Sequence, residues 1–156
     1  MGQYASNTTV SPEKTQSDIR ETLRRYGAKK FGVMEEDGKA HVMFEINNLM
    51  IQLTVELPDV NDFTKTKVGR SRKNSAANEA HVQAIRQRWR ALLLAIKAKL
   101  EAIECGISTI EKEFLAFVIM PDGKSLSDHV LPKLKDMSQT GKMPRLLLSY
   151  DGGNKC

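Results

Sequence analysis

The hydrophobic positions change period along the chain, and each period names an element. Between Ser11 and Gly27, Ile19, Leu23 and Tyr26 recur at i, i+4 and i+7, the spacing of one helix face. Ser11 offers an N-cap and Pro12 suits the first helical position. Glu13 faces the positive end of the helix dipole, and Gly27 can adopt the left-handed C-cap. The period then falls to two. "KFGVMEE" runs into Asp37-Gly38, a hairpin signal. "KAHVMFEI" follows, with Val42, Phe44 and Ile46 on one face and His41, Met43 and Glu45 on the other. Asn47-Asn48 marks a second tight turn. In "LMIQLTVEL", Leu49, Ile51, Leu53, Val55 and Leu57 point inward while Gln52, Thr54 and Glu56 point out, until Pro58 stops the strand. An antiparallel meander with one wet face is expected.

Periodicity lapses over residues 58–77, which predicts a long mobile loop. It returns from near Asn78 to Cys105 as a helical stripe of Val82, Ile85, Trp89, Leu92, Ile96, Leu100 and Ile103, widened by Leu93 and capped by Gly106. Ser108 and Glu111 form a capping-box pattern for a short helix through Leu115. "AFVIM" predicts a fourth strand with "PDGK" as its turn. Ser125 opens a last helix that Pro132 should kink or divide. Residues 1–10 are expected to form a flexible arm, Gly141–Leu148 a docking strip, and residues 149–156 a disordered tail. The sum is one α+β domain over residues 11–148. Its three- to four-stranded antiparallel meander packs against a long amphipathic helix, with helices at both ends.

A length of 156 residues supports one domain with a real core, and 40% hydrophobic with 28% charged residues is an ordinary globular balance. No apolar run approaches the roughly 18 residues that a membrane span needs. "MGQYASNTTV" lacks the charged and apolar regions of a signal peptide. No membrane partner is therefore expected. Cys105 and Cys156 read as free thiols, which suits a reducing cytoplasm.

Candidate chemistry is sparse. His41, His81 and His129 share no ligand spacing, and there is no H-E-x-x-H, paired C-x-x-C or calcium loop, so no metal site is indicated. Phosphate-binding glycine loops and a G-x-S-x-G elbow are also missing, and neither a cofactor nor a catalytic residue is assigned. Asp59 and Asp62, with Glu45, Glu56 and Lys65 nearby, leave a divalent-metal nuclease as a minor alternative. Asp122-Gly123-Lys124 matches the acid-x-Lys triplet of some nucleases but reads better as a turn. Trp89 lies on the apolar stripe and so reads as core, whereas Tyr4 and Phe63 fall in loop-like segments and are freer to stack.

The net charge of +5 matters through its distribution. From Lys65 to Arg90 the chain carries Lys65, Lys67, Arg70, Arg72, Lys73, Arg86, Arg88 and Arg90 against one acid, Glu79. These eight are the expected phosphate contacts of a nucleic-acid-binding protein. The arginines fan around the polar side of the helix, because steps of two residues rotate by about 200°. The alternative is a protein-interaction module presenting Met34, Met43 and Met50 on the outer sheet face.

The stretches "TTVSPEKTQSDIRETLRRYGAKKFGVMEEDGKAHVMFEINNLMIQLTVELP" and "RQRWRALLLAIKAKLEAIECGISTIEKEFLAFVIMPDGKSL" resemble a family of small phage and prophage proteins. The likeness spans roughly residues 8–147; its signature is R-Q-R-W-R-A-L running into I-K-A-K-L-E-A, then E-F-L and P-D-G. That family has no firmly assigned activity. The resemblance implies a phage or mobile-element protein working in a bacterial cytoplasm. In element order, the chain is also similar to the core of phage single-strand-annealing recombinases. Those proteins bind single-stranded DNA along a basic groove and form oligomers. This similarity implies single-stranded DNA in replication or recombination as a partner, and a possible homo-oligomer.

Overall fold

A computed structural model describes residues 4–66 and 68–145. The order is α1 (Pro12–Arg25), β1 (Lys29–Glu36), β2 (Lys39–Ile46), β3 (Leu49–Glu56), α2 (Asn74–Glu104), α3 (Ile110–Phe114) and α4 (Leu126–Thr140). The fold is α+β, with a three-stranded antiparallel sheet in the order β1-β2-β3.

The two hairpins form as the turn residues dictate. Asp37 and Gly38 sit at φ 46 and 73, and Asn47 and Asn48 at φ 49 and 62. Paired left-handed residues give the turn whose twist matches that of the strands. Both turns leave a regular β2–β3 register, from Lys39↔Glu56 to Ile46↔Leu49. In β1 the register shifts between Lys29 and Gly32, and Lys30 takes φ 51 at this bulge.

One face of the sheet carries the core. Ala40, Val42, Phe44 and Ile46 alternate as buried residues along β2, with Ile51 and Leu53 beside them on β3. Onto this face pack Ile19 and Leu23 of α1, Trp89, Leu93, Ile96 and Leu100 of α2, and Phe114 of α3. Phe114 meets Phe44 edge to face, with ring centroids 5.6 Å apart and planes at 86°. The expected α2 stripe holds from Trp89 onward, but Leu93 is buried where Leu92 is only partly so. Val82 is 44% exposed, because the N-terminal turns of α2 project beyond the core.

Several local expectations are corrected. The fourth strand is reduced to single bridges, Ile51↔Val118 and Ile119↔Ser125, after a short 3-10 turn at Leu115–Phe117. Thr109 caps α3, accepting from Lys112 N at 3.4 Å, in place of Ser108. α4 continues through Pro132; the missing amide leaves the Asp128 carbonyl on an exposed residue, where water can satisfy it. The first residues lie along α2. Gln83 Nε2 donates to Ser6 O and Thr8 O at 2.9 and 3.0 Å, and Gln87 Nε2 to Tyr4 O at 2.9 Å. Among the described residues, no helix is long and apolar enough to cross a membrane. The expected docking strip lies partly, and the tail wholly, outside the described residues.

Trp89 is fully buried, and its indole N–H meets no acceptor among the described residues. Trp89→Phe should therefore cost about 1–2 kcal/mol, through lost volume alone, and Trp89→Ala about 3–5 kcal/mol. Urea unfolding of the three proteins checks the difference.

Candidate nucleic-acid interface

The segment after β3 carries local order that the hydrophobic pattern did not predict. A 3-10 turn, Val60–Phe63, is closed by two carboxylates. Asp59 Oδ1 accepts from Asn61 N at 2.8 Å, and Asp62 Oδ2 accepts from Asp59 N at 3.3 Å. A small ribbon then folds on itself: Thr66 N donates to Arg70 O and Arg72 N to Thr64 O, at 2.7 and 2.8 Å. α2 begins at Asn74, with only its N-cap Lys73 between it and this ribbon, and four residues earlier than expected.

Lys65, Arg70 and Lys73 are exposed on the ribbon, and Arg72 is half-buried. Lys67 lies outside the described residues. None of the four described cations makes an ion pair among the described residues. The first turn of α2 has no acidic residue, and its N-cap, Lys73, offers no side-chain hydrogen bond. The positive end of a 31-residue helix therefore opens beside these side chains.

The helix arginines are placed differently. Arg90 Nη1 reaches Asp18 Oδ2 of α1 at 3.3 Å. Arg86 lies on the same flank, adding its charge near Glu13, and its Nε is buried without a partner among the described residues. Arg88 turns the other way and donates from Nη1 to Glu56 O at 3.0 Å. One turn pair earlier on that flank, His81 Nε2 donates to Pro58 O at 2.8 Å and its ring meets Phe63 at 5.9 Å. The seven described cations thus do not share one surface. Lys65, Arg70, Arg72 and Lys73 cluster; Arg88 stands on their flank but ties down the end of β3; Arg86 and Arg90 face α1. Sequence spacing shows the fan, whereas the partners that hold each arginine come from distant elements.

The other candidates are also resolved by geometry. Asp59 and Asp62 are held as reciprocal caps, and Glu45 pairs with Lys30. Glu45 lies opposite Met50, while Glu56, beside Asp59 in the chain, lies opposite Lys39. Six residues of strand, about 20 Å, separate these positions, so the nuclease carboxylates do not converge. No three His, Cys, Asp or Glu side chains among the described residues could hold a metal ion. Asp122 anchors a turn, accepting from Lys124 N at 3.1 Å and pairing with His129 at 2.8 Å.

Met34, Met43 and Met50 do share the outer sheet face. Polar groups break up this face: His41 Nδ1 lies 3.0 Å from Thr54 Oγ1 and 3.2 Å from Gln52 Nε2, and Lys30 pairs with Glu45 across it. A more continuous apolar surface was not foreseen. It is a groove of about 580 Å3 between α4 and the 3-10 turn at Leu115–Phe117, lined by Leu115, Phe117, Leu126, Val130, Leu131 and Leu134. Its signal was the stripe Leu126, Val130, Leu134, on a helix with no buried residue. Arg20 and Arg24, four apart on α1, line a second surface with Arg25 and Glu21.

The chain matches no protein-family model, no curated protein and no solved structure.

The carboxyl of Asp18 is held below its ordinary value of 3.8, first by the hydrogen bond from Lys14 and then by the charges of Lys14 and Arg90. Its contribution to stability is present above the unfolded value and is lost as pH falls through the lower folded value. Arg90→Met should therefore destabilise the fold by up to about 1 kcal/mol at neutral pH. The difference should shrink once Asp18 is protonated, which urea unfolding at neutral and acidic pH would detect.

Proposed function

We propose that this chain binds nucleic acid without catalysing a reaction, and that single-stranded DNA is its partner in replication or recombination. The observation that carries the reading is the ribbon of cations, exposed Lys65, Arg70 and Lys73 with half-buried Arg72, with no ion pair among the described residues, at the uncapped start of α2. Side chains free of internal partners can replace counterions on phosphates, and the helix start adds backbone N–H groups of the same sign. The body of α2 is the spine of the core and cannot enter a major groove, which argues against base readout by that helix. A flexible single strand adapts to a short ribbon more readily than a duplex does. The phage setting and the bacterial cytoplasm enter this proposal from the sequence resemblance.

A second reading, an interaction module for a host or phage protein, draws on the α4 groove. Exposed Leu131 and Leu134, 55% and 39% accessible, are the observation in its favour.

Titration of fluorescent single- and double-stranded oligonucleotides across a salt series tests the first reading. A log–log slope of several units is expected, with Arg70→Ala and Arg72→Ala each lowering it by about one. Arg90→Met should leave the slope unchanged. Absence of binding at low salt would remove the nucleic-acid reading and leave the groove as the surface to pursue.

A further inference from the structure

We propose that β1 pairs antiparallel with β1 of a second copy, joining two meanders into one six-stranded sheet. The two edges of the sheet are treated differently. Beyond β3, Val118 bridges to Ile51, and Ile119 N donates to Met50 O at 2.8 Å, so part of that edge is closed by the chain itself. Beyond β1 no strand lies among the described residues. The Glu36↔Lys39 pair flanks a two-residue turn and so exchanges both of its hydrogen bonds. By alternation, Gly32, Met34 and Glu36 direct their N–H and C=O groups toward β2. Val33 and Glu35 direct theirs to the open edge, where a further strand can be received.

Charge selects the occupant. The strand reads Lys29-Lys30-Phe31-Gly32-Val33-Met34-Glu35-Glu36, and Asp37 follows. It is basic at one end and acidic at the other. An antiparallel copy sets each basic end against an acidic one, whereas a parallel copy would set like against like. The outward-facing residues admit two-fold registers centred on Val33 or on Met34. Centred on Val33, the pairing sets Lys29 and Lys30 of one chain opposite Asp37 and Glu36 of the other; centred on Met34, it sets Phe31 and Gly32 there instead, so charge selects the Val33 register. Lys29, Glu35 and Glu36 make no ion pair among the described residues, so their charges are available. Phe31 and Val33, half-buried at the border of the core, would gain cover at the seam.

The bulge at Lys30 limits regular pairing to Gly32–Glu36. Association through so short a ladder is weak, concentration-dependent and loosened by salt.

Sedimentation velocity of the full chain, from micromolar to near-millimolar concentration at low salt, tests the proposal. The wild type should pass from monomer to dimer. Lys29→Glu alone and Glu35→Lys alone should each raise the dissociation constant roughly tenfold, since a two-fold axis counts every lost pair twice. An equimolar mixture of the two variants should recover wild-type association, because the heterodimer restores opposite charges on both sides. A monomer at every concentration, a dimer indifferent to either substitution, or weakened variants that do not recover on mixing would each overturn it.

Discussion

Burial of Trp89, Leu93, Ile96 and Leu100 against the inner face of the meander fixes where the other parts of the molecule lie. A helix of 31 residues is about 46 Å long, far longer than the strands it crosses. Its middle and C-terminal turns take the core contacts, so its first turns must project past the sheet. The basic ribbon is carried out with them, held by the contacts of His81 and Arg88 with the end of β3. Among the described residues, the same arrangement leaves the outer face of the sheet and the edge of β1 without cover, because the helices contributing to the core lie on the inner side.

Charge therefore does two kinds of work in one run of sequence. Lys65, Arg70, Arg72 and Lys73 have no internal partner among the described residues, and water or a ligand must solvate them. Arg88 and Arg90 are ordered by the protein, through a strand-end carbonyl and the Asp18 carboxylate. The half-buried Arg90–Asp18 pair contributes modestly to stability, and it ties α1 to α2 as Arg88 ties the exit from β3 to α2. Counting cations along the segment overstates the surface open to a polyanion, and following each one to its acceptor gives its true extent.

Features governed by neighbouring residues were legible in the sequence. Ser11 and Ser125 cap their helices, Asp37-Gly38 and Asn47-Asn48 turn the chain, and the alternation in β2 places Val42, Phe44 and Ile46 inside. Features governed by distant partners were not. "AFVIM" has strand composition, but only Val118 and Ile119 find an edge to join before the turn at Asp122 takes the chain away. The ribbon at Thr64–Arg72 is held by backbone bonds that leave no hydrophobic period. Ser108 and Thr109 are equally good caps by residue type, and the fold chooses between them. The candidate site was legible as a set of residues and illegible as a surface, since the partners of Arg88 and Arg90 lie 32 and 72 positions away.

The contact between the N-terminal segment and α2 constrains its two sides unequally. Gln83 and Gln87 grip the carbonyls of Tyr4, Ser6 and Thr8, a group that every amino acid supplies. The attachment itself reads no side chain of the segment, whereas the segment's own turn does: Thr8 N donates to Ala5 O and Thr8 Oγ1 accepts from Val10 N. Evolution could thus change the side chains of Tyr4 and Ser6 and keep this contact, provided the two glutamines remain.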